Sequence, residues 1–233
     1  MTKKYELVLD DTISFWGWKL FRIRALISFG SVEVGDLGGY IEKEENLSHD
    51  GNAWVSGNAK VSGDAKVSGN AKVSGDAKVS GDAKVSGNAK VSGNAKVSGD
   101  AKVSGNAKVS GNAKVSGDAE VWGNAKVSGN AKVSGDAEVW GNAEVWGDAE
   151  VSGDAEVWGN AKVSELGDII VFKNHWSSGR HFTYTKSNKM WKVGCFYGTG
   201  QELIKKAYRD SEKSGNYYKA YVDFVENLEK LGD

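Results

Sequence analysis

A chain of 233 residues with 31 Gly, no Pro and a single Cys is neither collagen, which sets Pro beside its Gly, nor a disulfide scaffold. Lys plus Arg number 30 against 31 Asp plus Glu, so no overall field draws the molecule to nucleic acid or a membrane, and any such attraction is local. No stretch approaches the roughly 20 apolar residues of a membrane-spanning helix. A soluble, cytoplasmic protein without membrane contact is expected.

Residues 1–50 read as an N-terminal β cap. KLFRIRALISF alternates polar and apolar residues as a strand does. The following VGDLGGYIEKEENLSHDGNAWV is expected to slide into the repeats as a degenerate first coil, with Leu37 placed 18 residues before Val55. Such a cap covers the unpaired strand edges that a solenoid end exposes.

Residues 51–165 form the repeat region, in which the chain from Gly51 to Ser164 repeats G-[ND]-A-[KE]-V-[SW] almost without exception, beginning GNAWVS. Ala and Val sit two apart and so share one face of an extended segment, while the Lys or Glu between them points to the other. Gly followed by Asn or Asp turns the chain after each short strand, because both tolerate positive φ. Three sides of six residues close a triangle of 18, and several series choose that period. Asp64, Asp82, Asp100, Asp118, Asp136 and Asp154 form one; Asn52 through Asn160 form another; Trp122, Trp140 and Trp158 form a third. Each coil contacts only its neighbours, so stability accumulates along a rod of 4.8 Å steps, on the order of 30 Å long.

Residues 166–233 read as a small α+β domain. DIIVFK, HFTYTK and MWKVGCF are expected strands, followed by two helices. The first helix starts at the capping box formed by Thr199 and Glu202 and is expected to end near Gly215. Tyr217, Tyr221, Phe224, Val225 and Leu228 give the second an amphipathic stripe.

The array resembles the hexapeptide-repeat parallel β-helix, and that resemblance implies a single-stranded, left-handed helix of triangular coils. The wider layout, G-D-L-G-G-Y-I-E-x3-N-L before the repeats and G-C-F-x-G-T with two helices after them, is similar to hexapeptide-repeat proteins of bacteria and their phages. Those are often labelled transferases on the solenoid alone, and a fold is a weak warrant for an activity. The resemblance implies phage or prophage origin and self-association, commonly as a trimer, and opposite charge on the two halves of the rod offers an antiparallel dimer instead.

Hexapeptide-repeat acyltransferases use a histidine base, commonly with a loop protruding from the coils, between subunits. Here His49, His175 and His181 all lie outside an array that has no insertion. An acyltransferase is therefore the alternative reading, with His49 its foothold. Cys195 with His181, oriented by Asp210 or Asp223, has no supporting spacing as a thiolate pair. An ordinary buried thiol in a strand is expected instead. The glycines precede no helix and GTGQEL is too short for a phosphate loop, so no catalytic residue, cofactor or metal is assigned.

Surface patterning points to binding. Residues 51–117 of the array carry ten Lys and four Asp, a net +6, and residues 118–164 carry three Lys, five Glu and four Asp, a net −6. Lys60, Lys78, Lys96, Lys114 and Lys132 form a row that could follow phosphates or an acidic protein, although no arginines or aromatics interleave it. Binding of a nucleotide or nucleic acid through these Lys-rich faces is thus an alternative and not the favoured reading. Trp122, Trp140 and Trp158, with Trp146 on a neighbouring side, stand where most repeats have Ser, and stacked indoles mark a surface to be covered by the C-terminal domain or a partner. The expected function is a non-catalytic scaffold that presents a rigid solenoid and a terminal domain to a host protein, possible interference with host defence included.

Overall fold

The computed structural model describes residues 3–15 and 17–231. Alternation of apolar and polar residues makes each hexad one short strand. The strands stack into three parallel sheets in which every Lys or Glu pairs with the residue 18 positions later, as Lys60 with Lys78 and Lys102 with Glu120. About seven turns result. The first face runs through Lys60, Lys78, Lys96, Lys114, Lys132 and Glu150; the second through Lys66, Lys84, Lys102, Glu120, Glu138 and Glu156; the third through Trp54, Lys72, Lys90, Lys108, Lys126, Glu144 and Lys162. All repeat Ala and Val side chains are buried in one continuous core. Each corner Gly has positive φ, between 62° and 75°, the left-handed conformation that a side chain resists. The exposed Asn corner is bonded along the rod, Asn70 to Asn88 to Asn106 to Asn124, at 3.0 Å per step.

Along most of the array the amides of the Asn or Asp, the Lys or Glu, and the Ser or Trp donate to the next coil, as Asn58 to Gly75, Lys60 to Ala77 and Ser62 to Val79. The N-terminal rim therefore presents mostly carbonyls and the C-terminal rim mostly N–H groups, with the Val N–H to Lys or Glu carbonyl bonds of each rung running the other way, and buried backbone groups of either kind need partners. The two caps supply opposite chemistry.

At the N-terminus, β1 (Tyr5–Phe15) and β2 (Trp18–Ala25) form a hairpin, and β2 pairs antiparallel with β3 (Leu37–Ile41), the first rung of the first face. Lys4, wholly buried, donates to the carbonyls of Ala53 (2.9 Å) and Gly51 (3.4 Å), and Tyr5 donates to those of Leu47 and Glu44. The degenerate coil differs from expectation. Ile41 and Leu47 occupy the Val position, pairing with Val61 and Val67 at spacing 20, while Leu37 is exposed. Ile41 and Leu47 keep the six-residue step. The extra two residues therefore fall between Leu47 and Val55.

Burial lowers the Lys4 ammonium to about 8, against the opposing pull of Asp50. Its folded value lies below the unfolded value of about 10.4, so between these pH values the unfolded chain holds more proton and stability rises with pH. Raising pH from 7.5 to 9.5, below the range where tyrosines titrate, should add stability, up to about 3 kcal/mol over the full window. Urea midpoints should show this slope in the native chain and lose it in Lys4→Met.

At the other rim, the hydroxyls of Thr183 and Ser187 accept the N–H groups of Glu156 (2.9 Å) and Lys162 (2.8 Å), and Asp168 accepts that of Ser164 (2.6 Å). The C-terminal unit is a four-stranded antiparallel sheet, Ile169–Lys173, His181–Thr185, Met190–Val193 and Phe196–Thr199, covered by α1 (Gly200–Asp210) and α2 (Glu212–Leu231). One more strand is present than expected, because Gly194 and Cys195 form a turn that splits MWKVGCF. Cys195 is accordingly exposed rather than buried in a strand.

The capping box at Thr199 is present. Gly215 does not end α1: it is buried inside α2, where a Cβ would lie 2.2 Å from the Tyr208 ring. That close approach sets the helix pair. It also rotates the buried stripe of α2 onto Tyr218, Val222 and Val225, leaving Phe224 and Leu228 exposed.

Candidate functional site

The Lys row of the first face follows the strand register, so its ammonium groups repeat with the coil spacing of about 4.8 Å. Lys60, Lys78, Lys96 and Lys114 line a groove of about 410 Å³ together with Asp76, Asn94 and Asn112 of the adjoining corner. The row is not uniform. The Phe15 ring of β1 lies 5.7 Å from the Lys60 ammonium and 5.0 Å from that of Lys78, two rungs at the N-terminal end of the row that Lys96, Lys114 and Lys132 continue. This cover is invisible in the sequence, since it depends on how far the hairpin reaches along the rod.

The sign of the outward residues changes on every face, and an ion pair marks the first change on each: Lys102 to Glu120 at 2.7 Å, Lys126 to Glu144 at 2.7 Å, and Lys132 to Glu150 at 4.0 Å. These pairs are exposed and contribute little stability individually. Their consequence is electrostatic layout: a cationic sleeve towards the N-terminus and an anionic one towards the C-terminus. A groove of about 640 Å³ runs along the second face between the Asp corner (Asp64 to Asp136) and the Lys66-to-Glu138 row.

Trp122, Trp140 and Trp158 project from the second face beside Glu120, Glu138 and Glu156. The rings of Trp122 and Trp140 stack with centroids 4.4 Å apart, and Trp140 meets Trp158 edge-on. The C-terminal domain reaches the far end of this ladder. Tyr197 packs on Trp158 and donates to its carbonyl at 3.3 Å. The buried Lys192 ammonium lies 3.8 Å from the Trp158 ring centroid and 3.0 Å from the Glu156 carboxylate. Trp122, at the near end, is 37% exposed. Burial, followed by repulsion from Glu156 and Glu120, pushes the Glu138 carboxyl upward. Trp146 stands on the third face, outside the ladder and half-buried.

The histidines serve the caps. His49 stacks on Tyr5 and accepts the Lys4 N–H at 3.2 Å. His181 pairs with Asp154 of the solenoid at 2.7 Å. His175 lies in the aromatic cluster of Trp176 and Tyr217. His181 and Asp210 line a cavity of about 260 Å³ with Arg180, Lys206 and Tyr218, and Cys195 is not among its lining residues. Among the described residues no cluster of His, Cys, Asp or Glu could hold a metal ion, and no helix is long and apolar enough to cross a membrane. No protein-family model matches the chain, and no curated protein matches it.

Proposed function

We propose that the protein is a non-catalytic scaffold that binds an acidic partner along its cationic half. The carrying observation is the run of Lys96, Lys114 and Lys132 on one flat face. Following the similarity to phage and prophage proteins, the partner is a host protein in the host cytoplasm, and the terminal domain adds a second surface. Capture from host lysate by the native chain and by Lys96→Gln/Lys114→Gln/Lys132→Gln tests this. A specific partner should be retained by the first and lost by the second. Equal retention would remove the Lys row from the interface.

The same row supports a second reading, since evenly spaced ammonium groups on a flat surface can track a single-stranded phosphate backbone. Affinity for a labelled oligonucleotide would then fall with salt with a logarithmic slope of about −0.7 per phosphate neutralised, or roughly −2 for three lysines. A flat binding signal at low salt rejects nucleic acid as the ligand.

A further inference from the structure

From one end of the rod to the other the second face reads Lys66, Lys84, Lys102, Glu120, Glu138, Glu156. Reversing both its direction and its signs returns the same series. The neighbouring column on that face divides at the same point, with Ser68, Ser86 and Ser104 followed by Trp122, Trp140 and Trp158. Neither of the other faces has this property. The first carries five lysines before its single Glu150, and the third places Lys90 and Lys126 symmetrically about Lys108. On both, antiparallel copies would set Lys against Lys.

A half-turn about an axis parallel to the strands, between the rungs of Lys102 and Glu120, lays a second copy antiparallel on the second face. It brings Lys66 opposite Glu156, Lys84 opposite Glu138 and Lys102 opposite Glu120, with each of the three Ser facing a Trp. A parallel arrangement would oppose like charges. We propose that the second face is an isologous interface between two antiparallel copies of this chain.

Lys192 shows the contact in miniature, because a Glu–Trp pair of this same face already receives its ammonium, against the Trp158 ring and the Glu156 carboxylate. That pair is filled from within the chain, so the four central rungs carry the association. Among the described residues Lys84 and Glu138 take part in no salt bridge within 4.0 Å. Lys102 and Glu120 exchange an intrachain partner for one across the axis. The Asp corner meets its own copy at the exposed rim of the contact, a repulsion that weakens the dimer. Four rungs of about 4.8 Å on a face about 20 Å wide bury roughly 400 Å² per copy, below the usual size of specific interfaces. The dimer is therefore weak and salt-sensitive.

Sedimentation equilibrium on the full chain tests the proposal. At tens of micromolar the native chain should be a dimer in about 50 mM salt and a monomer above about 500 mM, where screening falls to a few ångströms. Lys84→Glu alone and Glu138→Lys alone should each weaken association at least tenfold. An equimolar mixture of the two variants should dimerise again, because each altered rung then faces its opposite charge. Lys78→Glu on the first face should leave the mass unchanged. Thermal melting of each variant establishes that it is folded, and Lys84→Gln, which adds no repulsion, replaces any that is not. A native chain monomeric at low salt, or a mixture no more associated than its components, overturns the proposal. None of these substitutions touches Lys96, Lys114 or Lys132, so loss of self-association and loss of an acidic partner are separate results.

Discussion

Gly105→Ala should destabilise the rod far more than Gly153→Ala, although both replace a corner Gly of nearly the same conformation, φ 67° and 62°. An Ala in the left-handed region costs roughly 1–2 kcal/mol, and both variants carry that cost. At Gly105 the new Cβ would also lie 2.9 Å from the amide nitrogen and 3.0 Å from the carbonyl oxygen of Gly123 in the next coil, whereas at Gly153 nothing lies within 4 Å. The obstacle is backbone, held by coils on both sides, so it cannot swing away as a side chain would. Overpacking of this kind costs about 1–3 kcal/mol, giving a total of roughly 2–5 kcal/mol at Gly105. Gly105→Asn divides the two contributions, since Asn accepts positive φ but brings the same Cβ. Urea midpoints followed by circular dichroism read all three. Equal losses at Gly105 and Gly153 would show that coil spacing is not what requires Gly.

The array was legible because one physical demand recurs at every step: small in, branched in, charged out, then a turn. Identical demands write identical hexads, and the phase of the Asp, Asn and Trp series gives the coil. The degenerate coil was misread because the count from Val55 back to Leu37 assumes an unbroken step of 18, and the two extra residues between Leu47 and Val55 have no marker of their own. In α2, Tyr217 and Tyr218 are equally plausible as core. The choice between them is made by Gly215 against Tyr208, a tertiary contact. Gly194–Cys195 reads as strand because its flanks are apolar, yet φ of 52° at Gly194 turns the chain there. Of the candidate site, the rows and the sign change could be read directly, since they are periodic. Lys4, Thr183, Ser187 and Lys192 could not, because each is defined only by the rim or the ring it meets in space.

The same rims make the caps the determinant of solubility. A fragment of residues 51–164, lacking both caps, should assemble into long fibres along the rod axis, while the full chain does not. Its C-terminal rim would leave unpaired the N–H groups that Thr183, Ser187 and Asp168 now satisfy, among them those of Glu156, Lys162 and Ser164. Its N-terminal rim would leave unpaired the carbonyls of Gly51 and Ala53 that Lys4 now takes. Mostly donors at one end and mostly acceptors at the other fit head to tail, with an alignment that repeats the interior coils, and an open sheet edge is a template for such pairing. Charge favours the same contact, since the anionic end of one fragment meets the cationic end of the next. Removing only one cap should stop growth, because the retained cap blocks the complementary rim. Electron microscopy should therefore show fibres from the doubly truncated fragment, with a fibre-diffraction repeat of about 4.8 Å along the axis, and none from residues 1–164. Fibres from the singly truncated chain would mean that the rims associate without donor–acceptor complementarity.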